Sequence, residues 1–343
     1  MQYLPLGNTG LYVSRICFGA MTFNDKDSVF DHMIGGMSQA EADRMIGTVL
    51  DAGVNFFDTA NVYGEGASER MLGKALAGKR EDVVIATKVY FTTRTEINAL
   101  GVSRKSIMRE VDKSLQRLGT DYIDLYQVHS FDPTTPLEET LRALDDCVRM
   151  GKVRYIGLSN FTGWQIAKAD GLARLMGTER FCSVQAYYSL VGRELEREIL
   201  PAARDLGLGV MVWSPLAGGF LSGKYTGNPG AEGRRTAFNY PPVDLERGDR
   251  IVEILREIAA AHDASPARVA LAWLLHQEGV TSIIVGARKL EQLKDNLGAV
   301  DLQLSEEELL RLDEVSRLNP EYPHILPPRN RGENPFAMFA EMS

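Results

Sequence analysis

The chain is organised by one alternation repeated along its length. Short β-branched or aromatic runs start near Ile16, Asn55, Val83, Tyr122, Val153, Cys182, Gly209 and Thr281, and segments with helical periodicity lie between them. Strands that alternate with helices bury their apolar faces in a mostly parallel sheet covered by those helices. Eight such units without a long linker fit a closed α/β (β/α)8 TIM barrel, although the pattern alone also suits a doubly wound sheet. At 343 residues the length would allow two ordinary domains, but α/β barrels routinely use about 250 residues or more around one core. The expectation is therefore one domain over 1–343, with an N-terminal hairpin at 1–15, a loop insertion after the seventh strand at 217–247 and a C-terminal tail at 319–343.

Local signals sharpen the outline. "MQYLPLGNTGLYVSRI" reads as a hairpin with its turn at Gly-Asn-Thr-Gly. Ser38 with Glu41 and Thr135 with Glu138 form capping boxes, Pro136 and Pro266 stand at first helical positions, and Ser265 caps the helix before Pro266. Ile107, Val111, Leu115 and Leu118 recur at helical spacing, as one buried stripe would. Between the seventh strand and Thr281 lie the Gly/Pro-rich "GGFLSGKYTGNPGAEGRRTAFNYPP" and two helical segments, "DRIVEILREIAAAH" and "SPARVALAWLLHQ". A further helix follows from Ser305, then the Pro-rich tail.

Composition narrows the function. A formal charge of −8 disfavours a broad phosphate-tracking surface, so no nucleic-acid partner is expected. No apolar run approaches the roughly 20 residues of a membrane helix, and the amino terminus lacks a secretory signal, so a cytoplasmic protein is expected. Cys17, Cys147 and Cys182 sit among apolar neighbours without a CxxC pair and read as reduced core residues. The five histidines lack metal-ligand spacing, so no metal is expected.

Three consecutive strands close on ionisable groups: the second at Asp58, the third, "VVIATK", at Lys88, and the fourth, "YIDLYQVH", at His129. Tyr63 follows Asp58 by five residues. In a parallel barrel all carboxyl ends face one rim, so the four should meet there. Singly, each has a bland reading as a turn cap or a satisfied core residue; four on consecutive units point to chemistry. Asp58 and Lys88 must pair if buried, and an ammonium beside a phenol lowers a pKa of about 10 by about 1 to 3 units. Tyr63 is then expected to act as an acid toward a carbonyl, with His129 donating a hydrogen bond to the same oxygen.

"GVNFFDTANVYG" followed by "GxSExxLGKAL", then "VIATK", "YIDLYQVH" and "GKVRYIGLSN", closely resemble the aldo-keto reductases in order and spacing, from Leu6 to about Asn319. The long insertion after the seventh strand resembles the branch with bacterial reductases and potassium-channel β-subunits. The resemblance implies a (β/α)8 barrel, a nicotinamide cofactor and a catalytic tetrad that matches Asp58, Tyr63, Lys88 and His129. It further implies that Trp213 stacks on the nicotinamide and that Ser159, Asn160 and Gln185 bond its carboxamide. Met21 and Asp58 join that pocket, and Ser214, Pro215, Leu216, Ala217 and Gly218 line the pyrophosphate.

Bottom-up, "VWSPLAGGFLSGKY" offers small residues, backbone N–H groups and Lys224, as a pyrophosphate needs, and "IIVGARKLEQLKDN" offers Gly286 and the Arg288 fork, with Gln292 and Asn296 on one helix face. In the related reductases this last segment binds the adenosine 2′-phosphate, so Lys224, Arg288 and Arg234 favour NADPH over NADH. One departure is that the Lys-Ser pair of many relatives is replaced here by Gly286-Ala287.

Phe23, Tyr90, Phe91 and Phe131, with Met21, Phe238 and Tyr240, are candidate apolar walls for a sizeable, alicyclic or polycyclic carbonyl substrate; each has a loop-anchor reading too. Two rival functions stay open: a cofactor-binding interaction module like a channel β-subunit, and a barrel lyase or isomerase in which Lys88 forms a Schiff base.

Overall fold

The computed structural model describes residues 1–24, 36–228 and 231–324. Positions 229–230 of the insertion and most of the tail, 325–343, lie outside them. The hairpin pairs β1 (Tyr3–Pro5) with β2 (Tyr12–Ser14) antiparallel, Tyr3 opposite Ser14. Eight parallel strands then close on themselves: β3 (Ile16–Gly19), β4 (Phe56–Asp58), β5 (Val84–Val89), β6 (Ile123–Val128), β7 (Val153–Ser159), β8 (Phe181–Tyr187), β9 (Gly209–Trp213) and β10 (Val280–Val285). Sequential neighbours pair throughout, and β10 returns to β3 through Ile283 opposite Ile16. All eight strands begin within one residue of the positions expected from the pattern, because each is a short apolar run with polar or glycine punctuation at its ends.

Alternation along each strand divides the barrel into levels. Cys17, Phe56, Val84, Ala86, Leu125 and Met211 pack into one interior apolar cluster. The hairpin closes its lower end: Leu6 and Val13 are fully buried in the same cluster, and the Asn8 amide donates to the Gly207 carbonyl at 2.8 Å. Two residues further along, the same inward faces carry Asp58, Lys88 and Gln127. The floor is oily and the rim polar, which sets where ionisable chemistry can sit.

The outer ring follows its caps. The Ser38 side chain and Glu41 bond reciprocally at the start of α1 (Gln39–Asp51). Next come α2 (Ala67–Ala75), α3 (Arg104–Leu118) and α4 (Leu137–Arg149). In α3, Ile107, Val111 and Leu118 are buried, with Leu115 packed half-buried against the same core. The expected cap at Thr135 does not form: its hydroxyl donates to the Asp132 carboxylate at 2.8 Å, and Pro136 occupies the N-cap without a side-chain bond. Asp132 draws four donors, the backbone amide and hydroxyl of Thr134, the hydroxyl of Thr135 and the Val102 amide, and so outcompetes the helix end for Thr135.

After α5 (Gly163–Met176) and α6 (Ile199–Leu206), the insertion is more ordered than its glycines imply: a 3-10 turn at Ala217–Ser222 and a short helix, α7 (Arg234–Ala237), precede α8 (Leu245–Ala261) and α9 (Pro266–His276). Ser265 caps α9 by accepting from the Arg268 amide. After β10 come α10 (Leu290–Leu297) and α11 (Glu306–Ser316), the latter opened by a Ser305–Glu308 capping box. The three cysteines are free and buried.

The glycine of "LGKAL" has a packing reason. A Cβ on Gly73 would stand 2.1 Å from the Leu118 carbonyl oxygen, so α2 and the end of α3 meet backbone to backbone there. Gly73→Ala should therefore destabilise the fold by about 1–3 kcal/mol, read as a lower denaturation midpoint in urea with an unchanged m-value.

Candidate active site

At the carboxyl ends of β4 and β5 sits a buried ion pair. Lys88 is fully buried, and its ammonium donates to Asp58 Oδ1 and, at 2.9 Å, to the Thr59 carbonyl. The other carboxylate oxygen, Asp58 Oδ2, accepts from the side-chain amides of Gln127 at 3.0 Å and Gln185 at 2.9 Å. A buried pair survives only when its remaining lone pairs and protons are met, and this one is met on both sides. Gln127 escaped the sequence analysis; a polar residue two positions before His129 in an otherwise apolar strand was the available signal.

Tyr63 opens the loop after β4 in a short 3-10 turn, where Gly64, Glu65 and Gly66 all take left-handed backbone angles. That reversal turns the phenol back over the barrel mouth: Lys88 Nζ lies 5.1 Å from the Tyr63 ring centroid. His129, directly after β6, meets the same ring edge-on at 5.8 Å and the Phe91 ring at 5.0 Å. Its backbone carbonyl accepts from the Asn160 side chain at 2.9 Å, while its Nδ1 is buried with no partner among the described residues. All four residues picked from the strand ends therefore stand together.

Electrostatics departs from the sequence expectation in one respect. Desolvation raises the Tyr63 pKa above its ordinary value and outweighs the lowering by the Lys88 charge, with Asp58 adding to the rise. The phenol is thus held protonated near neutrality, ready to donate rather than half ionised. For Lys88, burial pulls downward most strongly, but Asp58 and then Tyr63 together carry its pKa above the usual value, so it stays a cation. Burial, reinforced by the Lys88 charge, pushes the His129 imidazole well below 6.5. His129 is neutral and can donate from one nitrogen only.

The four surround the inner end of a cavity of about 690 Å³ that Asp58, Tyr63, Phe91 and His129 line. Its lining also includes Met21, Ser159, Asn160, Gln185 and Trp213, then Ser214, Pro215, Leu216 and Gly218, and Lys224, Arg234, Gly286, Arg288, Gln292 and Asn296; of the basic residues, Arg234 is close enough for its charge to reach Tyr63. Of the candidate cofactor residues only Ala217 is not at its surface; it is fully buried, and its carbonyl accepts from Arg235 at 3.1 Å. Asn160, Ser214 and Ala217 all carry positive φ without being glycine, a strain that clusters at functional sites.

A nicotinamide nucleotide fits this lining on the chain's own evidence. Ser159 Oγ and Arg234 Nε are buried without a hydrogen-bond partner among the described residues, as groups awaiting a polar ligand would be. Gly286 also lines the cavity, and a Cβ there would stand 3.0 Å from the Gly19 carbonyl oxygen, so the ends of β3 and β10 meet closely at that point. The Gln185 amide nitrogen is committed to Asp58 and Gln127, which leaves its carbonyl oxygen to offer. Asn160 accepts the Trp213 indole N–H at 3.1 Å, and the indole stacks with Tyr240 at 5.8 Å and 13°.

The apolar candidates divide. Phe91 lines the cavity, with Phe238 and Tyr240. Phe23 does not; it is fully buried against Phe18, ring centroids 5.4 Å apart, and serves the core. Tyr90 packs edge-on behind Phe91 at 4.8 Å, and Phe131 packs on Phe161 and Trp164 at 5.3 and 6.0 Å, both outside the lining. Aromatic residues near a mouth are equally good loop anchors, and sequence cannot separate the two uses.

Fold and cavity define a parallel-barrel protein that works at the carboxyl ends of its strands. The family model described as the aldo/keto reductase family matches residues 15–317, and the chain belongs to that family. It is 41% identical to the uncharacterized oxidoreductase YrpG of Bacillus subtilis, over 92% of this chain and 96% of that protein. It is 37% identical to a probable voltage-gated potassium channel subunit beta of Oryza sativa subsp. japonica (88% and 92%), and 34% identical to norsolorinic acid reductase of Aspergillus flavus (92% and 81%). Membership carries oxidoreductase chemistry on carbonyl compounds with a nicotinamide nucleotide. No helix among the described residues is long and apolar enough to cross a membrane, and no cluster of His, Cys, Asp or Glu among them could hold a metal.

The depressed His129 pKa makes a checkable statement. An imidazole that resists protonation when folded stabilises the fold fully above its ordinary value of 6.5, and that contribution is lost as pH falls toward the lower folded value. The His129 ring protons should accordingly show no titration by NMR between pH 6 and 8, where an ordinary histidine titrates (about 6.5).

Proposed function

We propose that the protein reduces an aldehyde or ketone to the alcohol with NADPH, by direct hydride transfer with Tyr63 as general acid. The observation that carries this reading is the meeting of a protonated phenol, a fixed ammonium and a neutral imidazole at the inner end of a nucleotide-sized cavity. The nucleotide, when bound, supplies the hydride. Tyr63 gives its proton to the developing alkoxide, the Lys88 cation stabilises the phenolate left behind, and His129 holds the substrate oxygen by its single N–H. Asp58 keeps Lys88 charged and aimed. Lys88 is fully buried, bonded twice and absent from the cavity lining, which favours a resident charge over a Schiff-base nucleophile.

Preference for NADPH over NADH is supported by the basic residues of the cavity lining, Lys224, Arg234 and Arg288, with Gln292 and Asn296 in the same lining. The cavity wall is largely aromatic near Tyr63, through Phe91, Trp213, Phe238 and Tyr240, and this suits a bulky alicyclic or polycyclic ketone.

NADPH oxidation followed by fluorescence across aldehydes, sugars and polycyclic ketones tests the reading directly. Tyr63→Phe should keep nucleotide affinity and lower turnover by about 10²-fold or more. A variant that turns over like the parent removes the assigned acid, and tight NADPH binding with no turnover on any carbonyl would favour the channel-subunit type of role. Arg288→Ala should raise the KM for NADPH about 10-fold and leave that for NADH unchanged, measured by steady-state kinetics with both nucleotides.

A further inference from the structure

Resting on that reading of Tyr63 and Lys88, the geometry points to Ser68, Glu69 and Thr87 as positioning residues that set the distance between the phenol and the ammonium. None of the three touches the cavity. They lie behind it, where the first turn of α2 meets the barrel wall, and all three are fully buried.

Tyr63 rides on a loop of eight residues, 59–66, whose last three non-helical positions have left-handed angles. Such a segment has no regular backbone ladder of its own, so its shape must be imposed from outside. Backbone ties supply part of this: the Thr59 amide donates to Ala86 at 2.9 Å and the Asn61 amide to Lys88 at 3.3 Å. These fix the beginning of the loop to β5. Tyr63 comes later; its amide reaches back to the Ala60 carbonyl at 3.2 Å, and the far end of the segment is set by where α2 begins.

Ser68 and Glu69 determine that. Ser68 Oγ donates to the Ala20 carbonyl at 2.6 Å and lies 2.7 Å from Thr59 Oγ1. A hydroxyl has one proton, and that of Ser68 is spent on Ala20, so Thr59 is the donor in the second bond. Thr59 also offers its carbonyl to the Lys88 ammonium. One residue on, the buried Glu69 carboxylate accepts from Thr87 Oγ1 at 2.6 Å and from Arg117 of α3. Thr87 is the immediate neighbour of Lys88 on β5, with its side chain on the opposite, helix-facing side.

The dipeptide thus grips one residue adjacent to Asp58 and one adjacent to Lys88. The loop is closed at both ends onto the strands that carry the ion pair, and the phenol it holds cannot drift from the ammonium without breaking buried, charge-assisted bonds. Positioning of this kind matters because displacements near 1 Å can cost about 10²-fold in rate.

The groups whose charge reaches Tyr63 are Lys88 from β5, Asp58 from β4 and Arg234 from the insertion; the neutral His129 ring meets it from the end of β6. Among them Lys88 is the strongest pull downward. Letting the loop drift from β5 would weaken that pull, and the acid-side limb of alcohol oxidation, along which activity rises as the phenolate forms, would move to higher pH.

The experiment compares Thr87→Val, Thr87→Ser, Ser68→Ala and Tyr63→Phe with the parent holoenzyme. Thr87→Val removes only the hydroxyl and should lower kcat about 10-fold, leave NADPH affinity by fluorescence within about 2-fold, and shift the oxidation pH limb upward by about 0.5–1 unit. Thr87→Ser should restore both kcat and the limb. Ser68→Ala loosens the same loop from the Thr59 side and should reproduce the kcat loss and pH shift, which keeps the test decisive should Thr87→Val not fold. Parent-like kcat and pH profile in Thr87→Val or Ser68→Ala, or a loss that Thr87→Ser fails to rescue, overturns the inference. If Tyr63→Phe is fully active the underlying reading fails instead; if it is inactive while Thr87→Val is normal, only the positioning role does.

Discussion

A lysine ammonium with no exposed surface has to be neutralised, and the contact between Lys88 and Asp58 does this at the mouth of the barrel. Two charges taken out of water cost several kcal/mol each even after relaxation, and leaving one of them alone would cost about 3–5 kcal/mol of stability. The pair is retained because its surroundings complete it: two glutamine amides on one carboxylate oxygen and a backbone carbonyl on the ammonium. The strands that supply these groups, β4, β5, β6 and β8, are thereby tied together at the rim, which adds to the β4–β5–β6 ladders a link to β8 across the intervening β7.

From that pair outward, the chemistry is a matter of what burial does to neighbours. The apolar interior below excludes water, so the phenol stays protonated and the imidazole neutral. A fixed positive charge beside a neutral acid favours the state in which that acid has given up its proton, without requiring it to be ionised at rest. The raised resting pKa of Tyr63 separates the structure from the sequence expectation that the neighbouring ammonium would lower it.

Much of the fold and most of the cavity were legible in the chain itself. Strand starts, the caps at Ser38 and Ser265 and the helix start at Ser305 are local properties, written in β-branching and hydroxyl placement, and the three polar strand-end residues with Tyr63 of the following loop needed only the rule that parallel strands point one way. Where the reading slipped, competition from other side chains for the same group was the cause. Thr135 lost its capping role to Asp132, Phe23 went to Phe18 rather than the cavity, and the glycine-rich insertion gained helical turns.

The starts of the strands and the polar ends of three of them are properties of the sequence alone, because each depends on a residue and its near neighbours. Tertiary structure alone decided the net direction of the Tyr63 shift, the bonds Gln127 makes to Asp58 and the grip of Ser68 and Glu69 on the residues flanking the Tyr63 loop. Those depend on how much water is excluded and on which side chains from remote parts of the chain converge within 3 Å, and neither quantity exists until the barrel has closed.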